Sequence, residues 1–207
     1  MLQDILLLFA GFIVGGMNAI AGGGMLLGLP VLLFTGMPPL IANATSYLIV
    51  IPGNLAAAFG YRKYLKRVPK RYLLLLIPTV VGGAFGTYLL RHTSPGHFEK
   101  LIPGLILFAV VLFAFQPFLY NYLHKHLHGS PKLRARIRPL VVVGLAMIPL
   151  SVYGGYFGAG FGFIMLSFLG FTRLHEHLHR MNALKNITVI FLTSVSLATL
   201  AGSGLID

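Results

Sequence analysis

The apolar runs 41–61, 72–90, 99–118, 139–157 and 181–201 each hold close to 20 residues with few charges, and their length decides the architecture. About 20 residues of helix cross the roughly 30 Å of hydrocarbon in a bilayer. Inside lipid every backbone N–H and C=O must find its partner within the protein, which leaves helices and closed barrels. These runs are too long and too evenly apolar for barrel strands, which alternate over about ten residues. Composition agrees: 57% of residues are hydrophobic and 10% charged, too little polarity to clothe a water-facing surface. The expected form is an all-α, polytopic helical membrane protein, with residues 1–207 as a single domain.

A second feature sharpens this. Residues 15–46 read GGMNAIAGGGMLLGLPVLLFTGMPPLIANATS, and a relative of that stretch returns at 153–186 as YGGYFGAGFGFIMLSFLGFTRLHEHLHRMNALKN. Gly16 falls on Gly154, Ala21 on Ala159, Gly22 on Gly160 and Gly24 on Gly162; one loop residue later, Asn43 falls on Asn182 and Ala44 on Ala183. A Gly-interrupted apolar segment repeated in two halves of a membrane chain is the sequence mark of a transporter's binding site.

Charge placement supplies the topology. Six of the sixteen basic residues lie in 62–71 and five in 125–138. Short Lys/Arg-rich loops stay on the cytoplasmic side, so both are expected there, beside anionic lipid headgroups, and the net charge of +12 is not read as a nucleic-acid surface. The apolar piece after the first glycine cluster, 25–34, makes only about 15 Å of helix, too short to span. A kinked single crossing or a hairpin returning to its own side would accommodate it. The hairpin keeps Arg173, Arg180 and Lys185 on the basic side and gives each half an odd number of full crossings. The halves are then two inverted repeats, each opening with a Gly-broken helical hairpin. Repeat one is 1–120, with its hairpin at 5–35; repeat two is 137–207, with its hairpin at 139–171, and by this symmetry it lacks two helices. A fragment, or a short form completed by association with another chain as a homo-oligomer, would explain that. The apolar amino terminus resembles a signal peptide, but no Lys or Arg precedes it and Asp4 does, so cleavage is not expected.

The glycines at the breaks, Gly22, Gly23, Gly24, Gly158, Gly160 and Gly162, leave the backbone free and uncovered by side chains. Half-helix starts near Met25 and Phe163 would present unpaired N–H groups, a ready anion site. Asn18, Asn43, Thr45 and Ser46 in the first half, and Tyr156, Asn182, Lys185 and Asn186 in the second, offer polar groups to the same regions. Close helix packing is the competing explanation for the glycines, and interhelical hydrogen bonding for the polar residues. His175-Glu176-His177-Leu178-His179 matches H-E-x-x-H, the zinc-hydrolase spacing. It lies in a polar connection and lacks a well-placed third ligand among the four carboxylates, so an intramembrane zinc hydrolase is the alternative and not the first reading. A non-transporting assembly subunit is a third. No metal or other cofactor is expected, and the absence of a G-x-x-x-x-G-K-[ST] loop leaves no sign of nucleotide hydrolysis.

Asn18-Ala19-Ile20-Ala21-Gly22-Gly23-Gly24, then Pro30, Gly36, Pro38 and Ala42-Asn43-Ala44-Thr45-Ser46, resemble the first signature of the sulfite exporter TauE/SafE family of membrane permeases. Gly154 to Gly162 is similar to its second signature. The resemblance implies a non-enzymatic transporter of small anions such as sulfite, sulfonates or related organic anions, in the bacterial inner membrane, built from two inverted halves.

The chain has no cysteine, so single replacements report sidedness cleanly. Gln3→Cys and Pro38→Cys are expected to react with a membrane-impermeant maleimide from one face and Lys66→Cys from the other. Labelling of the first two from opposite faces would dismantle the hairpin.

Overall fold

The protein, seen in a computed structural model, is described over residues 2–128, 139–169 and 177–201. In chain order these form α1 (Leu2–Ile20), α2 (Gly24–Phe34), α3 (Pro39–Gly60), the one-turn α4 (Arg62–Leu65), a 3-10 turn (Lys70–Leu75), α5 (Leu76–Arg91), α6 (Pro95–His128), α7 (Pro139–Tyr156), α8 (Phe161–Leu169) and α9 (Leu178–Leu200). Helix is the only regular structure among the described residues. Pro39–Gly60, Lys70–Arg91 and Leu178–Leu200 are long and apolar enough to cross a membrane, and Leu7–Ile20, Gly24–Phe34 and Val143–Tyr156 are shorter apolar helices.

Both expected breaks are present, and they are built alike. At the end of α1 the N–H groups of Ala21 and Gly22 both return to Met17 O, at 2.8 and 3.2 Å; at the end of α7 those of Phe157 and Gly158 both return to Tyr153 O, at 2.8 and 3.3 Å. Gly22 then takes φ = 91° and Gly158 φ = 75°, the left-handed region that costs other L-residues roughly 1–2 kcal/mol. After each break a short helix packs beside the one it left: Gly28 of α2 lies against Val14, and Phe161 of α8 against Gly154. The two breaks touch. A Cβ on Gly22 would stand 2.6 Å from the backbone of Gly162, and one on Gly162 would stand 2.6 Å from that of Gly22.

Helix directions follow from the contacts. Along α5 and α7, Gly82 meets Ile148 and Ser151 while Gly86 meets Val152 and Tyr156, so the numbers rise together and the helices run parallel. Along α5 and α9, Gly83 meets Leu192, Thr87 Oγ1 lies 2.8 Å from Ser196 Oγ and Arg91 donates to Thr199 O at 3.4 Å, again in parallel. Hence α7 and α9 run the same way, which requires the chain between them to come back, and α8 begins that return. The α5–α7 contact is the most extensive among the described helices, and it depends on missing side chains: a Cβ on Gly86 would collide with Val152 O and one on Gly155 with Gly83 O. Close backbone approach through small residues is how helices associate without a hydrophobic driving force between them.

Polarity is inverted relative to a water-soluble fold. Phe12 is 82% exposed and Phe34 91%, while Asn43, Asn54, Thr87, Lys185 and Asn186 are wholly enclosed. Many buried hydroxyls and amides bond back to their own helix, as Thr79 does to Leu75 O at 2.8 Å and Asn54 to Val50 O at 2.7 Å. This meets the hydroxyl and the amide N–H within their own helices, while Asn54 Oδ1 is left without a partner among the described residues.

The sequence reading needs two corrections. The segment 62–71, expected as a loop, is α4 followed by a turn that enters the 3-10 helix; Arg62 donates to Phe59 O at 2.7 Å and lies over the Phe59 ring, so even this basic stretch closes its backbone on itself. The helix expected at 99–118 runs from Pro95 to His128, about 50 Å at 1.5 Å per residue, so residues 125–128 of the second expected loop are helical and 129–138 lie outside the described residues. The H-E-x-x-H segment, read as part of a polar connection, reaches α9 only at its last two residues, Leu178 and His179; His175 and Glu176, like Arg173, lie outside the described residues.

The glycines sort into two kinds that substitution separates. Gly22→Ala and Gly86→Ala are expected to lower the thermal unfolding temperature in detergent sharply, since each adds a backbone collision and the first adds φ strain as well. Gly16→Ala, in open space on α1, is expected to be neutral or to stabilise by about 0.5–1 kcal/mol. Equal effects from all three would show that the breaks are not packed as described.

Candidate functional site

A helix that ends inside an apolar protein leaves its last four carbonyls without partners and carries partial negative charge there. Both broken helices, α1 and α7, end this way, and the groups that meet their carbonyls come from the opposite half of the chain. At the end of α7, the Tyr47 hydroxyl lies 2.7 Å from Gly155 O and 3.0 Å from Gly154 O, and Asn43 Nδ2 donates to Tyr156 O at 3.0 Å. Both donors sit near the start of α3. At the end of α1, Lys185 Nζ donates to Asn18 O and Ala19 O, both at 2.9 Å, and Asn186 Nδ2 donates to Ala19 O at 3.1 Å. Both of these donors come from α9. Each half thus closes the other's broken helix.

The two clasps differ in charge. Lys185 is fully enclosed and is the only charged side chain buried among the described residues. Its position three residues after Asn182 matches that of Ser46 after Asn43, and Ser46 spends its hydroxyl on Ala42 O at 2.7 Å within its own helix. No carboxylate pairs with Lys185 among the described residues; it donates to the two carbonyls. Around it several polar atoms have no partner: Asn18 Nδ2, Asn182 Oδ1 and Asn186 Oδ1, and in the other clasp Asn43 Oδ1.

The remaining candidates take several roles. Asn18 Oδ1 accepts the Gly24 N–H at 3.2 Å, so the first amide of α2, expected to be free, is already occupied. Gly23 and Gly24 do not open onto space: a Cβ on the first would run into the Phe163 ring and on the second into Val14 O. Gly158 is hemmed in by Met25 and Tyr47, whereas Gly160, with φ = 80°, has nothing nearer its Cβ position than Ala109 at 3.5 Å. Tyr156 contributes its carbonyl; its hydroxyl turns away to Thr93 Oγ1 at 3.2 Å. Thr45 is buried and Asn182 half-buried. The structure therefore gathers Asn18, Lys185 and Asn186 at one break, with Asn182 one turn earlier on α9, Asn43 and Tyr156 at the other, and Gly22 with Gly162 between them.

Residues the sequence did not single out complete the arrangement. Tyr47 is the main partner of the α7 carbonyls, Tyr153 OH bonds Ala159 O across the second break at 2.8 Å, and Thr87 lies 2.8 Å from Gly155 O. A tyrosine or threonine in an apolar helix carries no periodic signature, and only the fold shows which carbonyl it meets. On the surface, Tyr64, Arg67, His177, Leu178, His179 and Arg180 line a cleft of about 380 Å³ at the start of α9, where the His179 ring lies 4.7 Å from that of Tyr64. No group of three or more potential metal ligands occurs among the described residues.

Tyr47→Phe removes one hydroxyl and leaves carbonyl oxygens at the end of α7 short of a donor. A loss of about 1–3 kcal/mol is expected, read as a lower unfolding temperature in detergent. An unchanged midpoint would mean that the clasp contributes nothing.

Comparison with known proteins places this architecture. The chain is 33% identical over 189 residues to the "Probable membrane transporter protein" of Haemophilus influenzae, an alignment covering 88% of this chain and 70% of that protein. It is 32% identical over 166 residues to "Probable membrane transporter protein ORF9" of Sinorhizobium sp, covering 79% and 59%, and 26% identical over 189 residues to "Probable membrane transporter protein YfcA" of Escherichia coli K12, covering 87% and 66%. The chain thus spans between 59% and 70% of the length of these relatives. No solved structure matches. The family model described as "Sulfite exporter TauE/SafE" matches residues 7–207, so with its apolar helices and paired breaks the chain is an integral membrane protein belonging to that family of membrane transporters.

Proposed function

We propose that the protein moves small anions, such as sulfite, sulfonates or related organic anions, by secondary transport through alternating access. The observation that carries this reading is Lys185: a fully enclosed ammonium held by two main-chain carbonyls beside a glycine break, with no carboxylate partner among the described residues. A cation enclosed in a low-dielectric interior is costly unless an anion accompanies it. A small oxyanion reaching this break would supply that charge.

The helix directions support two halves of opposite sense. The start of α9 lies beside Tyr61 and Tyr64, where α3 ends, and Lys185, two turns into α9, meets the end of α1. On this reading α1 and α3 begin at one surface and α7 and α9 at the other, so the two broken segments open on opposite sides and meet at Gly22 and Gly162. Movement of one half against the other would unlatch one clasp at a time. The basic residues 62–71, on the surface where α9 begins, are assigned to the cytoplasm by the charge rule. The protein's own place is then the bacterial inner membrane, where helical transporters reside. The basic cleft at the start of α9 supplies an approach for an anion from that surface. Repeat one then comprises residues 1–120 and repeat two begins at 137.

Uptake of radiolabelled sulfite and sulfonate into proteoliposomes tests the reading. Uptake above empty vesicles is expected, and its loss in Lys185→Met, read on protein that still unfolds cooperatively at a midpoint lowered by the two carbonyls left short of a donor. Full transport by folded Lys185→Met would remove the central role given to this ammonium.

A further inference from the structure

The unpartnered atoms around Lys185 specify more than charge. Hydrogen bonds fix which atom is which in the amides of Asn18 and Asn186. Asn18 receives the Gly24 N–H, so its accepting atom is the oxygen and its free end is Nδ2. Asn186 donates to Ala19 O, so its free end is Oδ1. Asn182 lies one turn before Lys185 and Asn186 on the same face of α9, and its Oδ1 is also without a partner. The Lys185 ammonium has three N–H groups, two of which are used on Asn18 O and Ala19 O. The break at the end of α1 therefore presents two kinds of unmet demand. Asn18 Nδ2 and the third ammonium N–H need an acceptor, and the carbonyl oxygens of Asn182 and Asn186 need a donor. Asn18 is 3% exposed and Asn186 0%, so water outside the protein does not meet these demands.

We infer that the species taken at this site is a small monoanion that itself carries an O–H or N–H donor, such as a hydrogen oxyanion or a hydroxy- or amino-substituted sulfonate. The inference rests on the anion-transport reading of the same break. Such a ligand sets its anionic oxygens against Lys185 and Asn18 and its donor against Asn182 or Asn186. An anion with acceptors alone satisfies Lys185 and turns its lone pairs toward two amide oxygens. A site built to bond a substrate hydroxyl rejects the analogue lacking it strongly, because its own polar groups are then buried unpaired.

Proteoliposomes containing the protein are given, separately, hydroxyethanesulfonate, propanesulfonate and sulfite. The two sulfonates match in charge and size and differ by a hydroxyl in place of a methyl. Hydroxyethanesulfonate is expected to enter at least about tenfold faster at limiting concentration, a difference equivalent to about 1.4 kcal/mol. Equal rates, or faster entry of propanesulfonate, overturn the inference while leaving anion transport standing. If sulfite enters and neither sulfonate does, its uptake is expected to fall as the medium is made alkaline and hydrogensulfite gives up its proton; uptake that does not fall overturns the inference too. Entry of none of the three removes the anion-transport reading itself, and this inference with it.

Discussion

Carbonyl groups at the ends of α1 and α7 cannot be left bare in an apolar interior, and the rest of the molecule is arranged around that constraint. Water would meet this need in a soluble protein at no structural expense. Here the donors must be side chains, and they must come from helices that reach the break from elsewhere. Tyr47 and Asn43 do so for α7, Lys185 and Asn186 for α1. Because each pair crosses to the other half of the chain, neither half can close its own broken helix. The folding of the two halves is tied together through polar contacts as much as through apolar ones.

Packing supplies the complementary half of the account. The α5–α7 seam brings backbones together through Gly82, Gly83, Gly86 and Gly155, and Gly15 meets Gly53 between α1 and α3. Attraction there comes from close contact, since lipid tails are as apolar as the side chains they would replace. The apolar surface is turned outward to lipid, and the polar residues are gathered where helices meet. Hydroxyls that bond their own helix, such as Thr188 to Leu184 O at 2.9 Å, can be enclosed without further demands. The unpaired amides near Lys185 are different in kind, because nothing on their own helix meets them.

The sequence made the helices legible because run length and apolar composition are physical requirements of the bilayer, and the breaks legible because only glycine takes φ = 91° at position 22 without penalty. Its repetition at 153–186 also located Asn182, Lys185 and Asn186. Several roles were beyond it. Gly23 and Gly24 read as bare backbone, yet they are where Phe163 and Val14 press in; a glycine looks the same in sequence whether space is left for a ligand or for a neighbour. Asn18 read as a substrate group, and the sequence did not show that its oxygen also holds the Gly24 N–H, which leaves only Nδ2 free. Tyr47 was invisible, since its function depends on carbonyls more than 100 residues away. The segment 62–71 read as a loop because charge marks the interface without saying whether the backbone there is coiled.

The unequal chemistry of the two clasps has an electrical meaning. The α7 clasp is neutral and the α1 clasp holds one fixed cation, so a protonated Lys185 feels the membrane voltage, at about 2.3 kcal/mol for a full crossing of 100 mV. A rearrangement that shifts it part-way through the field does work in proportion to the fraction crossed. Joined to a monovalent anion the same group forms a neutral pair, and that electrical work vanishes. Under the proposed anion transport, cargo and lysine together would travel without regard to voltage, while the vacant carrier would be the form on which the field can act.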